Sequence, residues 1–188
     1  GLGDGKAVSA TVRGWHHGRI RATRSTRARE LLTELMPGLL GALSQTVSPD
    51  AAFRHFDEFL TNLPAGVQLF SMFYARPGLL DLLAEIMGSA PSLAEHLSRH
   101  PSLLDGVLTG QFYEPVGTVL ELSVNLSESL DAASDFQDVL DAARRWTHDR
   151  EFQIGMQLLR AMISGEEAGA ALSDVADATL RGLLPHVE

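Results

Sequence analysis

The alternation of apolar and polar positions predicts helices along nearly the whole chain. From Glu166 to Leu184, apolar or small residues fall at Ala168, Ala171, Leu172, Val175, Ala176, Thr179, Leu180 and Leu183. That three-and-four spacing turns one face of a helix toward a core. Ser164 and Glu167 form a capping-box pair at its start, and Pro185 marks its end. A second helix is expected from Ser134, with Gln137 in the reciprocal position, through Val139, Ala143 and Trp146 to Ile163, with Gly155 as a place to bend. Upstream, Ser48 before Pro49-Asp50 predicts an N-cap with proline in the first turn. That helix carries Phe53, Phe56, Phe59 and Leu60 to a stop at Asn62-Leu63-Pro64. Residues 67–74 read as a short apolar helix, and Arg24–Leu35 as another, broken or kinked at Pro37-Gly38 before Leu39–Leu43.

Three further helices are each expected to open on a proline: Pro77-Gly78-Leu79-Leu80-Asp81, Pro91-Ser92-Leu93-Ala94-Glu95 and Pro101-Ser102-Leu103-Leu104-Asp105. Proline suits the first helical position because its missing N–H would have had no partner there. A carboxylate close behind it meets the positive end of the helix dipole. The copies lie 14 and then 10 residues apart, short of the roughly 30 residues of common helical repeats, so they are expected to stack locally without forming a solenoid. Gly110, Pro115 and Gly117 predict a loop over 110–120. Val116–Leu122 has a strand-like composition but no partner strand, and is assigned as helix or irregular. The fold class expected is all-α: a multi-helix bundle of long amphipathic helices plus several short proline-initiated ones, with no significant sheet. Residues 1–188 are expected to form a single helical domain or fragment, with a first part over 1–110 and a second over 121–188.

Composition narrows the function classes. Cysteine is absent, which removes disulfides and thiolate chemistry and accords with a cytoplasmic location. No stretch approaches the roughly 18 apolar residues of a membrane span, and no leader pattern opens the chain. The charge is uneven: residues 1–29 carry a formal +6 and residues 30–188 a formal −15. A mostly acidic chain with one basic segment lacks the broad basic face of a nucleic-acid binder. Six of the twelve aromatic residues, Phe53, Phe56, Phe59, Phe70, Phe73 and Tyr74, fall within 22 residues. They predict a buried cluster, with a ligand pocket or a partner surface as the alternatives.

Chemistry-bearing motifs are scarce. There is no phosphate-binding glycine loop, and Gly1-Leu2-Gly3-Asp4-Gly5 has no strand before it and reads as a flexible end. Gly88-Ser89 is not followed by Asp-x-Asp, the paired carboxylates that two-metal phosphoryl or nucleotidyl transfer requires. Asp149-Arg150-Glu151 has that spacing but falls inside an expected helix, where side chains two apart diverge. His96 and His100 share a helical face without a third ligand, and His16-His17 diverge. No catalytic, cofactor-binding or metal residue is assigned. Arg19, Arg21, Arg24 and Arg27 are the candidate contact residues, because guanidinium forks bind phosphate and carboxylate bidentately. On a helix from about Arg21, Arg24 and Arg27 would share one flank. The alternative is a solvated face paired with the protein's own acids.

Leu63–Ser71, Leu79–Gly88 and Pro91–Glu95 resemble the central helical region of the glutamine synthetase adenylyltransferases. Trp15, Gly18-Arg19, Arg21-Ala22, Arg24-Ser25 and Arg27-Ala28-Arg29 resemble that family's segment further upstream. Arg144-Arg145, Glu151-Phe152, Ile154-Gly155 and Ser164–Leu184 resemble the stretch leading into its second catalytic domain. The resemblance implies a large bifunctional enzyme with two nucleotidyltransferase domains that attaches AMP from ATP to a glutamine synthetase tyrosine and removes it again. It implies magnesium and ATP as cofactors of the parent enzyme. Glutamine synthetase and the PII signal protein are the implied partners, and the flanking catalytic domains are implied intramolecular contacts. No residue here matches the family's metal-binding aspartates, so the expectation is a helical interdomain and regulatory segment, inactive alone. A freestanding all-α binding or interaction module is the alternative.

Overall fold

The computed structural model describes residues 2–186, apart from the side chains of residues 105, 108, 109 and 111. Among the described residues there are helices and turns but no strand, as the all-α reading expects. The chain forms two compact units, residues 1–102 and 103–188.

In the first unit the helices are α1 (Gly5–His16), α2 (Thr26–Ser44), α3 (Pro49–Asn62), α4 (Val67–Ala75), α5 (Pro77–Ser89) and α6 (Pro91–Arg99). The glycine-rich opening is not loose where it is described. Asp4 caps α1 by accepting from the N–H groups of Lys6 and Ala7, and the Gly3 N–H donates to Asp50 Oδ1 at 2.9 Å. Gly1 lies outside the described residues. α2 starts later than expected, with the Ser25 hydroxyl accepting from the Ala28 N–H. It does not break at Pro37-Gly38. Leu31, Leu32, Leu35, Leu39 and Leu43 keep one apolar face in register across the proline, and their burial outweighs the lost hydrogen bond. Ser48 precedes α3, but its side chain makes no capping bond, and Pro49 alone marks the start.

The core sits where α5 packs against both α2 and α3, with α4 on α2 and α6 on α3. Phe53, Phe56, Phe59, Phe70 and Phe73 are buried in it, while Tyr74 is 61% exposed. Trp15 joins them, stacking on Phe53 at 5.4 Å and meeting Phe56 edge-on. Polar ties cross-link the same layer. His55 Nδ1 lies 2.9 Å from the Met87 carbonyl, the Ser98 hydroxyl donates to the His55 carbonyl, and Asn62 donates to the Ser98 carbonyl. Two prolines open helices as expected, at α5 and α6. The third does not: Pro101-Ser102 form a turn, and the next helix begins at Leu103. The Asp105 side chain lies outside the described residues.

The second unit holds α7 (Leu103–Thr109), α8 (Val119–Leu130), α9 (Phe136–Leu159) and α10 (Gly165–Leu183), with 3-10 turns at Gln111–Tyr113 and Leu184–His186. Val116–Thr118 are irregular, and α8 begins at Val119 behind a Thr118–Glu121 capping box. The Ser164–Glu167 box opens α10 as expected. Backbone and hydroxyl hydrogen bonds from Thr118 and Ser164 hold the Glu121 and Glu167 carboxyls below the ordinary carboxylate range. The cap of α9 is Asp135, which accepts from the Asp138 N–H, and not Ser134 with Gln137. The helix ends at Leu159, short of Ile163, where Ala161 takes a positive φ of 53°. Leu122, Leu126, Leu130, Val139, Ala143, Trp146, Ile154, Val175 and Ala178 form the core shared by α8, α9 and α10.

Glycine is required where chains approach closely. A Cβ on Gly66 would lie 2.4 Å from the Ala22 carbonyl oxygen and 2.5 Å from the Phe70 ring, whereas one on Gly169, inside α10, would meet nothing within 4 Å. Gly66→Ala is therefore expected to lower the thermal midpoint of unfolding, because a backbone oxygen must shift. Gly169→Ala is expected to raise stability by up to about 1 kcal/mol through helix propensity. Calorimetry of the two variants checks the opposite signs.

Candidate functional site

The basic segment is a turn, not a helix flank. Arg21–Thr23 form a 3-10 turn between α1 and α2, so Arg21 and Arg24 precede the helix and only Arg27 lies in it. Arg19, Arg21, Arg24 and Arg27 are all exposed. Arg27 is taken up by Glu30, 3.3 Å away on the surface. Among the described residues Arg19, Arg21 and Arg24 make no ion pair, so three of the four candidates carry free guanidinium groups on one short stretch of chain.

These three arginines stand on a fixed backbone. Arg29 Nη1 donates to the carbonyls of Thr23 and Arg24 at 3.1 and 2.7 Å, and Nη2 donates to the Thr26 hydroxyl. Gly18 takes a left-handed φ of 69° where the chain leaves α1. His16 ties α1 to α2, with Nδ1 at 2.9 Å from the Val12 carbonyl and Nε2 at 2.9 Å from the Thr33 hydroxyl. Behind the turn, the buried Trp15 indole N–H donates to Asp57 Oδ1 at 2.7 Å. From the sequence, Arg29 is one of several spread arginines. Its role comes from carbonyls left unpaired at a 3-10 turn, which no residue pattern announces.

The second unit holds a partly to fully buried polar row. Trp146, Arg150, Gln153 and Gln157 lie on one face of α9. The Trp146 indole N–H and Arg150 Nη2 both donate to Asn125 Oδ1, at 2.8 and 2.9 Å. Arg150 also donates to Gln153 Oε1, and its guanidinium carbon lies 5.7 Å from the Trp146 ring centroid. Gln153 Nε2 donates to the Glu114 carbonyl, and Gln157 Nε2 to the carbonyls of Phe112 and Glu114. The signal was present as polar residues at core spacing, and the sequence reading passed over it.

Other candidates do not assemble into chemistry. Asp149 and Glu151 lie on α9, with Glu151 Oε2 2.9 Å from His148 Nδ1. His96 and His100 have ring centroids 4.8 Å apart. Among the described residues no three His, Asp or Glu side chains converge to hold a metal. A groove of about 490 Å³ lies between the end of α2 and α5, lined by Gly41, Gln45, Thr46, Asp81 and Glu85. It is acidic and lies apart from the phenylalanine cluster, which is packed as core.

The comparison that places this geometry is with known sequences. The glutamate-ammonia ligase adenylyltransferase family profile matches residues 80–187, more than half of the chain. The chain belongs to this family. A bifunctional glutamine synthetase adenylyltransferase/adenylyl-removing enzyme of Mesorhizobium japonicum is 44% identical over 180 residues, 96% of this chain. Those of Brucella suis and Caulobacter vibrioides are 44% and 39% identical over 181 and 185 residues. In each case the chain spans only 18% of the relative's length. No solved structure matches it. Among the described residues no helix is long and apolar enough to cross a membrane.

Replacing Arg29 with Met is expected to free the turn it clamps. Hydrogen exchange of the amides at 19–25 should rise by about tenfold or more, as the loss of a charge-assisted bond implies. Amides of α3 and α5 should be unchanged.

Proposed function

We propose that this chain is a helical interdomain and regulatory segment of an enzyme that adenylylates and deadenylylates glutamine synthetase. The observation that carries the reading is the near end-to-end match, 96–98% of the chain, to less than a fifth of each bifunctional relative. Its role is to hold the catalytic portions of the longer polypeptide in fixed register. ATP and magnesium act in those portions. Glutamine synthetase is the substrate, PII is a regulatory partner, and the setting is the cytoplasm. The sequence offers no Asp-x-Asp motif to do the transfer itself. The isolated segment is therefore expected to transfer no AMP to glutamine synthetase with ATP and magnesium, read by radiolabel incorporation. Measurable transfer by the pure segment overturns the reading.

A contact role for the basic turn rests on the free guanidinium groups of Arg19, Arg21 and Arg24 on their clamped backbone. The partner it fits is an acidic protein surface. In the full-length enzyme, reversing these three charges to Glu is expected to weaken binding of glutamine synthetase or PII by about tenfold or more, and to flatten its salt dependence. Titration at two ionic strengths checks this, and unchanged affinity and salt dependence remove the role. Arg27, already paired with Glu30, is expected to matter less.

A further inference from the structure

α10 carries more apolar surface than its own unit covers. Its inward side is closed: Ala168, Val175 and Ala178 are 3%, 1% and 0% exposed against α8 and α9. A second row, Leu172, Ala176 and Leu180 on α10 and Leu184 at its C-cap, recurs every four residues on the outer side. Leu172 is 43% exposed, Leu180 70% and Leu184 65%. Single exposed leucines are ordinary, but a periodic row on one helix is a packing face. Gly182 sits close to α8, since a Cβ there would lie 2.5 Å from Leu126 Cδ2.

We infer that this outer row, centred on Leu180 of α10 and on Leu184 just past its end, is the docking face for the catalytic portion of the same polypeptide. This rests on reading the chain as a connecting segment of a longer enzyme. Two observations choose this occupant over a separate one. More than four-fifths of each relative's length lies outside the matched stretch, so there is chain to cover the row. The row itself offers a few hundred Å² at most, well short of the roughly 800 Å² per partner that a stable dimer buries. A tethered occupant needs no such area, because the linker holds it at an effective concentration in the millimolar range.

Cysteine labelling tests the assignment, since the segment has no native cysteine. In the full-length enzyme, Leu180→Cys, Leu184→Cys and, as an exposed control on α9, Arg145→Cys are treated with a maleimide and read by peptide mass spectrometry. Positions 180 and 184 should label at least tenfold more slowly than 145 in dilute enzyme, with the difference abolished in denaturant. Equal labelling overturns the inference. So does protection that appears only as enzyme concentration rises, which means a second copy, or only on adding glutamine synthetase. AMP transfer by the same samples is scored separately. Protected cysteines in an enzyme without transfer activity would undo the functional reading while leaving the docking face in place.

Discussion

Two glutamine side chains buried on α9 must find hydrogen-bond partners away from water, and the second unit is arranged around that demand. Gln153 and Gln157 are 3% and 4% exposed. An unmet buried amide costs about as much as several ordinary surface contacts contribute. The carbonyls that meet them belong to Phe112 and Glu114, so the path from α7 to α8 is pinned along α9. Phe112 then packs edge-on against Phe152 at 5.2 Å, and Gly106 must lack a side chain for the Phe112 ring to fit. With that crossing fixed, α8 starts where Thr118 can cap it, and its leucines meet Trp146 and Val175 across the bundle.

The first unit meets a similar demand with an indole. Trp15 is 1% exposed and needs an acceptor for its N–H, which Asp57 supplies from α3. That bond and the stacked phenylalanines hold α1 against the core, and the turn after α1 inherits its position. Arg29 completes the turn by donating into two backbone carbonyls. The backbone that carries the exposed arginines thus owes its position to buried or half-buried groups.

Periodicity made the helices legible, because amphipathic spacing and burial are two views of the same geometry. The Ser164–Glu167 box was readable because both partners lie within one turn. Errors gathered where local rules competed with packing over longer range. Pro37 should interrupt a helix, but five leucines on one face keep α2 whole. Pro101 resembles Pro77 and Pro91, yet only a turn forms there. Ser134 and Asp135 both suit a cap, and it is Asp135 that accepts from the Asp138 N–H. Arg21 and Arg24 were placed on a helix that in fact begins only at Thr26, after both of them. Arg29, Asn125 and the two glutamines were missed as a group, since their partners lie in distant carbonyls or on other helices.

The burial of Trp15 has a consequence for the integrity of the chain. α1 is attached to the first unit by an indole, two ring contacts and an imidazole bridge, all independent of the peptide bonds through residues 17–20. A protease that cut beside the exposed Arg19 would sever the covalent link while leaving these contacts in place. The nicked pieces would remain a non-covalent complex, with α1 retained against the unit it came from.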